Sequence, residues 1–336
     1  MVGGQGGFAT MAALLDLDIA MARPSLARIA AAPLTTALLL ALLAGCQTLS
    51  TPSASAPGPV GADAAPVRSG EAITAPAAAG PVANDNLNAV AWMQTSVEFR
   101  LLAGQVYRGA LAQLDRAIKT PGWDALPTGE RANGAAGLPP AIVVDVDETV
   151  LDNTPYQARN VRDDKGFNDA SWNEWVQSRA AIPVPGALEF ARAAAARGVT
   201  IFYISNRTAD QGAATIDNLR KAGFPVRDDS QFLGLGTVVD GCESEGSEKA
   251  CRRQLVGRTH RVLMQFGDQL GDFVGIVANT PAGRDQAVRP YLAWVGERWF
   301  VLPNPSYGSW EPALFDNAWS KPAPERRADK LGKLRY

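Results

Sequence analysis

The chain has 336 residues, 46% hydrophobic and 20% charged, with a formal net charge of -2, the composition of a folded globular protein of one large domain or two small ones. With no basic excess, nothing points to a nucleic-acid polymer as partner. A single histidine, His260, excludes multi-histidine zinc sites and chemistry run by paired histidines, and the three cysteines, Cys46, Cys242 and Cys251, include no CxxC pair.

In chain order, residues 34–44 (LTTALLLALLA) form an apolar stretch too short to span a bilayer comfortably. Arg23 and Arg28 precede it, and Leu43-Ala44-Gly45-Cys46 closes it, which is the layout of a signal peptide over residues 1–45. The LAGC run resembles a bacterial lipobox, and this implies that Cys46 becomes the lipidated first residue of the mature chain. A plain signal peptide with an incidental cysteine is the competing reading; it is disfavoured because Cys46 stands where the cleavage site belongs. Asp16 and Asp18 are foreign to a charged leader, so Met21 is an alternative start. Gln47 replaces the aspartate that, by the same resemblance, retains lipoproteins in the inner membrane. The expected location is therefore the outer membrane of a Gram-negative bacterium, with an N-terminal lipid anchor. Residues 46–85 are rich in Ala, Pro and Ser and cannot bury a core, so they read as a flexible tether.

Val90, Met93, Val97, Leu101, Tyr107, Leu111, Leu114 and Ile118 recur at helical spacing and predict one amphipathic helix over 87–119, ended by Pro121-Gly122. A loop over 129–140 leads to Ala141–Asn153, AIVVDVDETVLDN. Here the β-branched run Ile142–Val144 predicts a buried strand, broken by Asp145 and Asp147. Two carboxylates at the end of a buried strand are costly to desolvate unless a cation or a reacting group holds them.

An irregular region with Pro155, Tyr156 and Phe167 follows, then a short helix containing Trp172 and Trp175. Pro185-Gly186 opens another helix that stops at Gly198. VTIFYIS predicts a second buried strand ending at Ser205. Thr208 and Gln211 make a capping box for a helix running to Lys221 and closed by Gly223. A helix over 247–256 carries Lys249 and Arg252, RVLMQF predicts a strand ending at Gly267-Asp268, and RWFVLP predicts a last strand before the loop NPSYGSWE. Strands alternating with helices imply a parallel sheet, and such sheets bind ligands beyond their carboxyl ends. Asp145, Ser205 and Asp268 would converge on that edge.

A DxD pair alone is a weak signal. The ordered set is specific: Asp145 and Asp147 after one strand, Ser205-Asn206-Arg207 after a second, Lys249 on a helix, and Asp268 with Asp272 after a last strand. This set resembles the haloacid dehalogenase (HAD) superfamily in all four of its motifs. Within it, DVDETVLDNTPY, FYISNR, TIDNLRKAGF, SEKACRR, GDQLGDF and LPNPSYGSWE are similar to the bacterial class C acid phosphatases, outer-membrane lipoprotein 5′-nucleotidases, over about residues 87–320. The resemblance implies an α/β, HAD-like Rossmannoid three-layer fold over 86–336. Its parts would be a parallel central sheet, a small cap or insertion after the first strand, and an N-terminal amphipathic helix.

It also implies roles. Asp145 would be the nucleophile, forming an aspartyl-phosphate, and Asp147 the general acid and then base, with a raised pKa. One Mg²⁺ would be held by Asp145, the backbone carbonyl of Asp147, and Asp268, with Asp272 a further ligand or a supporting acceptor. Ser205 and Lys249 would cradle the phosphoryl oxygens. Asn206 and Arg207 are candidate substrate contacts, the latter with a surface ion pair as the alternative. Of the aromatics, Tyr307, Tyr156, Trp172 and Trp175 are candidates for stacking on a nucleobase, against a competing role in core or lid packing.

Simpler roles are expected for other residues: Asp152 and Asn153 shape the turn, Arg252 orients a motif aspartate, and His260 is structural. Gly271 departs from the pattern, since a third acidic residue is common there. For Cys242 and Cys251, a disulfide permitted by export and a pair of free thiols remain open.

The resulting expectation is an Mg²⁺-dependent acid phosphatase on a membrane-anchored lipoprotein. Its substrate would be a small phosphomonoester, a 5′-nucleotide first. The alternatives are a phosphomonoesterase for non-nucleotide substrates and a non-enzymatic binding lipoprotein on a phosphatase scaffold.

Overall fold

The structure, a computed structural model, describes residues 84–336; the signal peptide, the lipobox with Cys46 and nearly all of the 46–85 tether lie outside the described residues. The first helical stretch is two helices, α1 (Leu87–Thr95) and α2 (Val97–Lys119), where the periodicity predicts one. Ser96 breaks it. Its backbone is extended (ψ 145°), and its Oγ accepts the Phe99 N–H at 3.1 Å, which caps α2 afresh. Along α2, Ala103, Tyr107, Ala110, Leu114 and Ala117 are buried, a spacing of three and four that presents one apolar face to the sheet.

Strand β1 (Pro140–Val144) follows, and the chain then builds a small cap. The cap comprises β2 (Leu151–Asp152), α3 (Thr154–Arg162), α4 (Asp169–Ser178) and β3 (Ile182–Pro183), with β2 and β3 pairing antiparallel. The region after Asn153 is thus helical rather than irregular. Pro155 sits in the first turn of α3, where its missing N–H has no intrahelical partner to lose.

The main layer resumes with α5 (Ala187–Ala196), β4 (Thr200–Thr208), α6 (Gly212–Ala222) and β5 (Phe232–Leu235). It continues through α7 (Ala250–Thr259), β6 (Arg261–Gly267), α8 (Pro281–Val288), β7 (Trp299–Val301) and α9 (Ala323–Leu331).

The five long-range strands form one parallel sheet in the order β5-β4-β1-β6-β7. β1 lies at its centre, and its alternating side chains enter two cores. Ile142 and Val144 pack with Tyr107 and Leu114 of α2 and Phe190 of α5; Ala141 and Val143 pack on the other face with Leu126, Val256 of α7 and Trp299. This is the expected three-layer arrangement. Placing β1 between β4 and β6 brings the residues after Val144, Ile204 and Gly267 to one edge. Among the described residues, no helix is long and apolar enough to cross a membrane.

Candidate active site

Asp145 follows β1 directly, and its N–H still donates to the Phe266 carbonyl of β6 at 2.9 Å, so the backbone stays in sheet register up to this residue. Its side chain is buried; one oxygen accepts Lys249 Nζ and the other the Thr149 hydroxyl at 3.1 Å. Lys249 also donates to Asp272 Oδ1 at 2.7 Å. Lys249 is the N-cap residue of α7, just outside the helix expected to contain it. A disulfide between Cys242 and Cys251 ties the loop before it to the first turn of α7, which decides the question open in the sequence.

Electrostatics follow from burial. Desolvation pushes the Asp145 carboxyl up to about 7; Asp272 and Asp147 add to this, and Lys249 counters only part of it. Burial works against the charge of Lys249 too, but Asp145 and Asp272 outweigh it and raise the ammonium to about 12. The pair therefore favours the charge of the lysine more than that of the aspartate. Burial, with Asp272 and Asp145, also raises Asp268 well above the usual carboxylate range.

Asp147 occupies a polar clamp. Arg207 Nη2 and Nε approach its Oδ1 at 2.8 and 3.0 Å, Asn153 Nδ2 donates to the same oxygen at 2.8 Å, and the Ser205 hydroxyl donates to Oδ2 at 3.2 Å. Arg207 is buried and turned inwards on Asp147, Asn153 and Thr215, so it is a holder of Asp147 rather than a free substrate contact. Asn153 is more than a turn residue, since its Oδ1 also accepts the Trp175 indole N–H at 2.7 Å. Asp152 keeps the expected turn role, accepting the Thr154 N–H at 2.8 Å.

Ser205 lies inside β4, three residues short of its end, and also accepts the Arg207 N–H at 3.0 Å. Arg252 does not meet an aspartate. It donates to the Ser205 carbonyl at 2.6 Å and to Asn206 Oδ1 at 2.7 Å, fixing the strand end behind the site. His260 stands apart, edge-on to Phe202 with ring centroids 4.9 Å apart.

Sequence reasoning missed three residues. Glu148 is buried at φ +56°, a left-handed conformation, and is tied down by the Asn153 N–H at 2.7 Å and by the Tyr307 hydroxyl. Glu130 and Arg253 form a buried bidentate pair, at 2.7 and 2.5 Å, and Arg253 Nη1 donates to the carbonyls of Gly271 and Asp272 at 2.8 and 3.0 Å. No local pattern announces a pair 123 residues apart. Gly271 thus serves through its carbonyl.

Asp145, Asp268 and Asp272 each offer an oxygen, all within 4.8 Å of one another. An all-oxygen set suits a hard divalent cation. Among the described residues, the direct ion pairs of the five carboxyl groups Asp145, Asp147, Glu148, Asp268 and Asp272 come from two cationic side chains, Lys249 and Arg207, and the residues present fit such a cation. Gly267 is required for the approach of Asp272: a Cβ there would lie 2.3 Å from the Asp272 side chain. Both Asp272 oxygens already accept protein donors, Lys249 Nζ on one and the Gln269 N–H on the other, which suits a supporting acceptor.

The aromatic candidates separate. Tyr156 is 1% exposed and Trp175 is 7% exposed; both are core residues, and neither presents a face for stacking. Trp172 remains half-buried, with Tyr156 edge-on at 5.2 Å and the Arg207 guanidinium 5.3 Å from its ring. It lines a cleft of about 510 Å³ with Phe167, Asn173, Asn206, Thr208 and Leu235. Tyr307, also half-buried, donates its hydroxyl to Glu148 and is not among the residues lining that cleft.

A central parallel strand that delivers a carboxylate to a buried lysine, beside an oxygen-only cation cluster, defines an α/β protein built to receive an anionic group at the sheet edge. The chain belongs to the HAD superfamily, subfamily IIIB (acid phosphatase), whose family model matches residues 79–310. Phosphatases of this superfamily use a divalent metal.

Two solved structures of the class C acid phosphatase from Bacillus anthracis resemble it. One, with tungstate bound, is 34% identical with a TM-score of 0.65, covering 76% of this chain and 98% of that one. The other is 35% identical with a TM-score of 0.64, covering 75% and 97%. Among curated proteins, the stem 28 kDa glycoprotein of Glycine max is 28% identical over 170 residues, 49% of this chain and 58% of that protein. Acid phosphatase 1 of Solanum lycopersicum is 26% identical over 165 residues, 49% and 57% respectively. The chain thus spans somewhat over half the length of these curated relatives.

Proposed function

We propose that this protein is an Mg²⁺-dependent acid phosphatase that hydrolyses phosphomonoesters, 5′-nucleotides foremost, through an aspartyl-phosphate on Asp145. The observation that carries the reading is the contact of Lys249 with Asp145 at the carboxyl end of the central strand, beside Asp147 and Asp268. The tungstate taken up by the Bacillus anthracis relative supports it, since tungstate has the shape and charge of a phosphate.

In this reading Asp145, Asp268 and the Asp147 carbonyl would hold the cation, which when bound would neutralise charge and favour ionised Asp145. An Asp145 oxygen attacks phosphorus, and the bond to the leaving oxygen breaks. Asp147 gives that oxygen a proton. Asp147 then takes a proton from water, which attacks phosphorus and releases inorganic phosphate and Asp145. Lys249 and Ser205 meet the charge spread over the phosphoryl oxygens. Arg207 and Asn153 keep Asp147 aimed, and the clamp must loosen as its proton moves. Trp172, which lines the cleft, and Tyr307, tied to Glu148, are the two aromatics left to stack on a flat nucleobase in this reading.

The LAGC run supports export and anchoring in the outer membrane through a lipid on Cys46. Mass spectrometry of the membrane-extracted protein tests this, because an unmodified Cys46 removes the anchor. The activity is tested by phosphate release from a panel of nucleoside monophosphates and sugar phosphates, with Mg²⁺ and with EDTA. Asp145→Asn abolishes release and EDTA silences it reversibly; turnover that survives both overturns the mechanism. Equal turnover of sugar phosphates removes the nucleotide preference.

A further inference from the structure

Asp268 is the carboxylate that β6 brings to the acidic cluster. Its Oδ2 accepts two N–H donors, Gln269 Nε2 at 2.7 Å and Asn304 Nδ2 at 2.8 Å, while its Oδ1 accepts none from the described residues. Asn304 is itself fixed, because its Oδ1 accepts both the N–H and the hydroxyl of Ser306, at 2.9 and 2.7 Å.

The Gln269 amide is shared. The nitrogen that reaches Asp268 also donates to the Tyr307 carbonyl at 3.1 Å, and its Oε1 accepts the Ser309 N–H at 3.1 Å. Between these two contacts lies Gly308, at φ +149°; a Cβ there would sit 2.1 Å from Gln269 Oε1. Only glycine lets the loop close on the amide.

We propose that Asn304 and Gln269 are positioning residues. By occupying Oδ2 of Asp268 they leave Oδ1 as the oxygen offered to the cation, and through the shared amide Gln269 ties that carboxylate to the loop bearing Tyr307. The first half concerns the cation alone; the second rests on the phosphatase reading. A carboxylate free to rotate presents either oxygen and pays for its ordering when the cation arrives. Two donors on one oxygen remove that freedom beforehand, and loss of such outer partners weakens metal binding by roughly 10–100-fold. Because one amide serves both the carboxylate and the loop, the cation and the substrate tighten one another, each by the same factor.

The test is titration calorimetry of the purified chain with Mg²⁺ alone, followed by KM for a 5′-nucleotide at saturating Mg²⁺. Asn304→Ala is expected to weaken Mg²⁺ binding by roughly 10–100-fold. Ser306→Ala, which removes one of the two bonds that fix Asn304 and leaves the Asn304 donor to Asp268 in place, is expected to weaken Mg²⁺ binding by less than Asn304→Ala does. Gln269→Leu weakens Mg²⁺ binding by a factor similar to that of Asn304→Ala and also raises KM at saturating Mg²⁺. If Gln269→Leu does not fold, Gln269→Asn replaces it, since its amide is one methylene short of both partners. Folded Asn304→Ala and Gln269 variants that bind Mg²⁺ as tightly as the unsubstituted chain overturn the cation half. An unchanged KM in the Gln269 variant overturns the loop half. If the unsubstituted chain releases no phosphate, the phosphatase reading and the loop half fail together, while the calorimetry still decides the cation half.

Discussion

Lys249 donates to Asp272 at 2.7 Å, with the two side chains only 6% and 5% exposed, and the same ammonium reaches Asp145. One ammonium therefore joins the nucleophile candidate just after β1 to the acidic loop after β6. Removing one partner of a buried ion pair leaves uncompensated charge and costs about 3–5 kcal/mol. Lys249→Met is expected to lower unfolding stability by about that amount in EDTA and to abolish phosphate release. Mg²⁺ recovers part of the stability and none of the turnover. Urea unfolding with and without Mg²⁺ checks this; unchanged stability in EDTA contradicts it.

Arg253 and Glu130 act on the same loop from behind. Arg253 is fully buried, and its remaining nitrogen holds the carbonyls of Gly271 and Asp272. Glu130→Ala is expected to cost about 3–5 kcal/mol and to weaken Mg²⁺ binding by displacing the loop. A loss below about 0.5 kcal/mol would mark the pair as a surface-like contact.

The carboxyl cluster makes the metal-free protein sensitive to pH. The Asp145 carboxyl is raised by burial from 3.8 to about 7, and Asp268 is raised in the same direction. A group whose pKa rises on folding contributes stability below its unfolded pKa and loses it as pH climbs through its folded one. In EDTA, the cluster is expected to lower Tm as pH rises from about 4 to above 7, and Mg²⁺ flattens the fall. The gap between the two Tm curves isolates the cluster from other titrating groups, and it should widen with pH. A gap that narrows or stays constant contradicts the assignment.

The Cys242–Cys251 disulfide closes a short loop, with partners nine positions apart. By loop-closure entropy, reduction is expected to cost about 2–3 kcal/mol. It also frees the segment that sets Lys249 at the start of α7, so phosphate release should fall with the stability. Melting and turnover with and without a thiol reductant measure both effects, and turnover that is indifferent to reduction separates the disulfide from the site.

Two tryptophans from one helix are expected to behave differently. Trp172 lines the cleft, so Trp172→Ala raises KM for nucleotides several-fold with a smaller effect on kcat. Trp175 is buried and donates to Asn153 at 2.7 Å. Trp175→Phe loses that bond, at about 1 kcal/mol, and loosens the clamp on Asp147, so it lowers kcat. Steady-state kinetics of both variants compare the two patterns.

Much of this organisation was legible in the chain itself. The run Ile142–Val144 followed by Asp145, the VTIFYIS strand and the RVLMQF strand each carry a local apolar signal that ends at a polar residue. Alternation with helices is enough to make the sheet parallel and to gather those ends at one edge. Local chemistry hid other parts. Ser96 looked like one more polar position on a long helix, Pro155 like a breaker, and FLGL of β5 was too short to show a period.

What the sequence by itself determined is the set of groups at or near the carboxyl ends of the strands, Asp145, Asp147, Ser205 within β4, Asp268 and nearby Lys249, because strand and helix periods and the handedness of connections are local properties. Only the tertiary structure decided who holds whom. Arg207 and Asn153 clamp Asp147; Glu130 and Arg253 brace the acidic loop; Tyr156 and Trp175 sink into the core while Trp172 stays in the cleft. These outcomes depend on burial and on partners far apart in sequence. Neither a charge's partner nor a ring's exposure exists until the chain has packed.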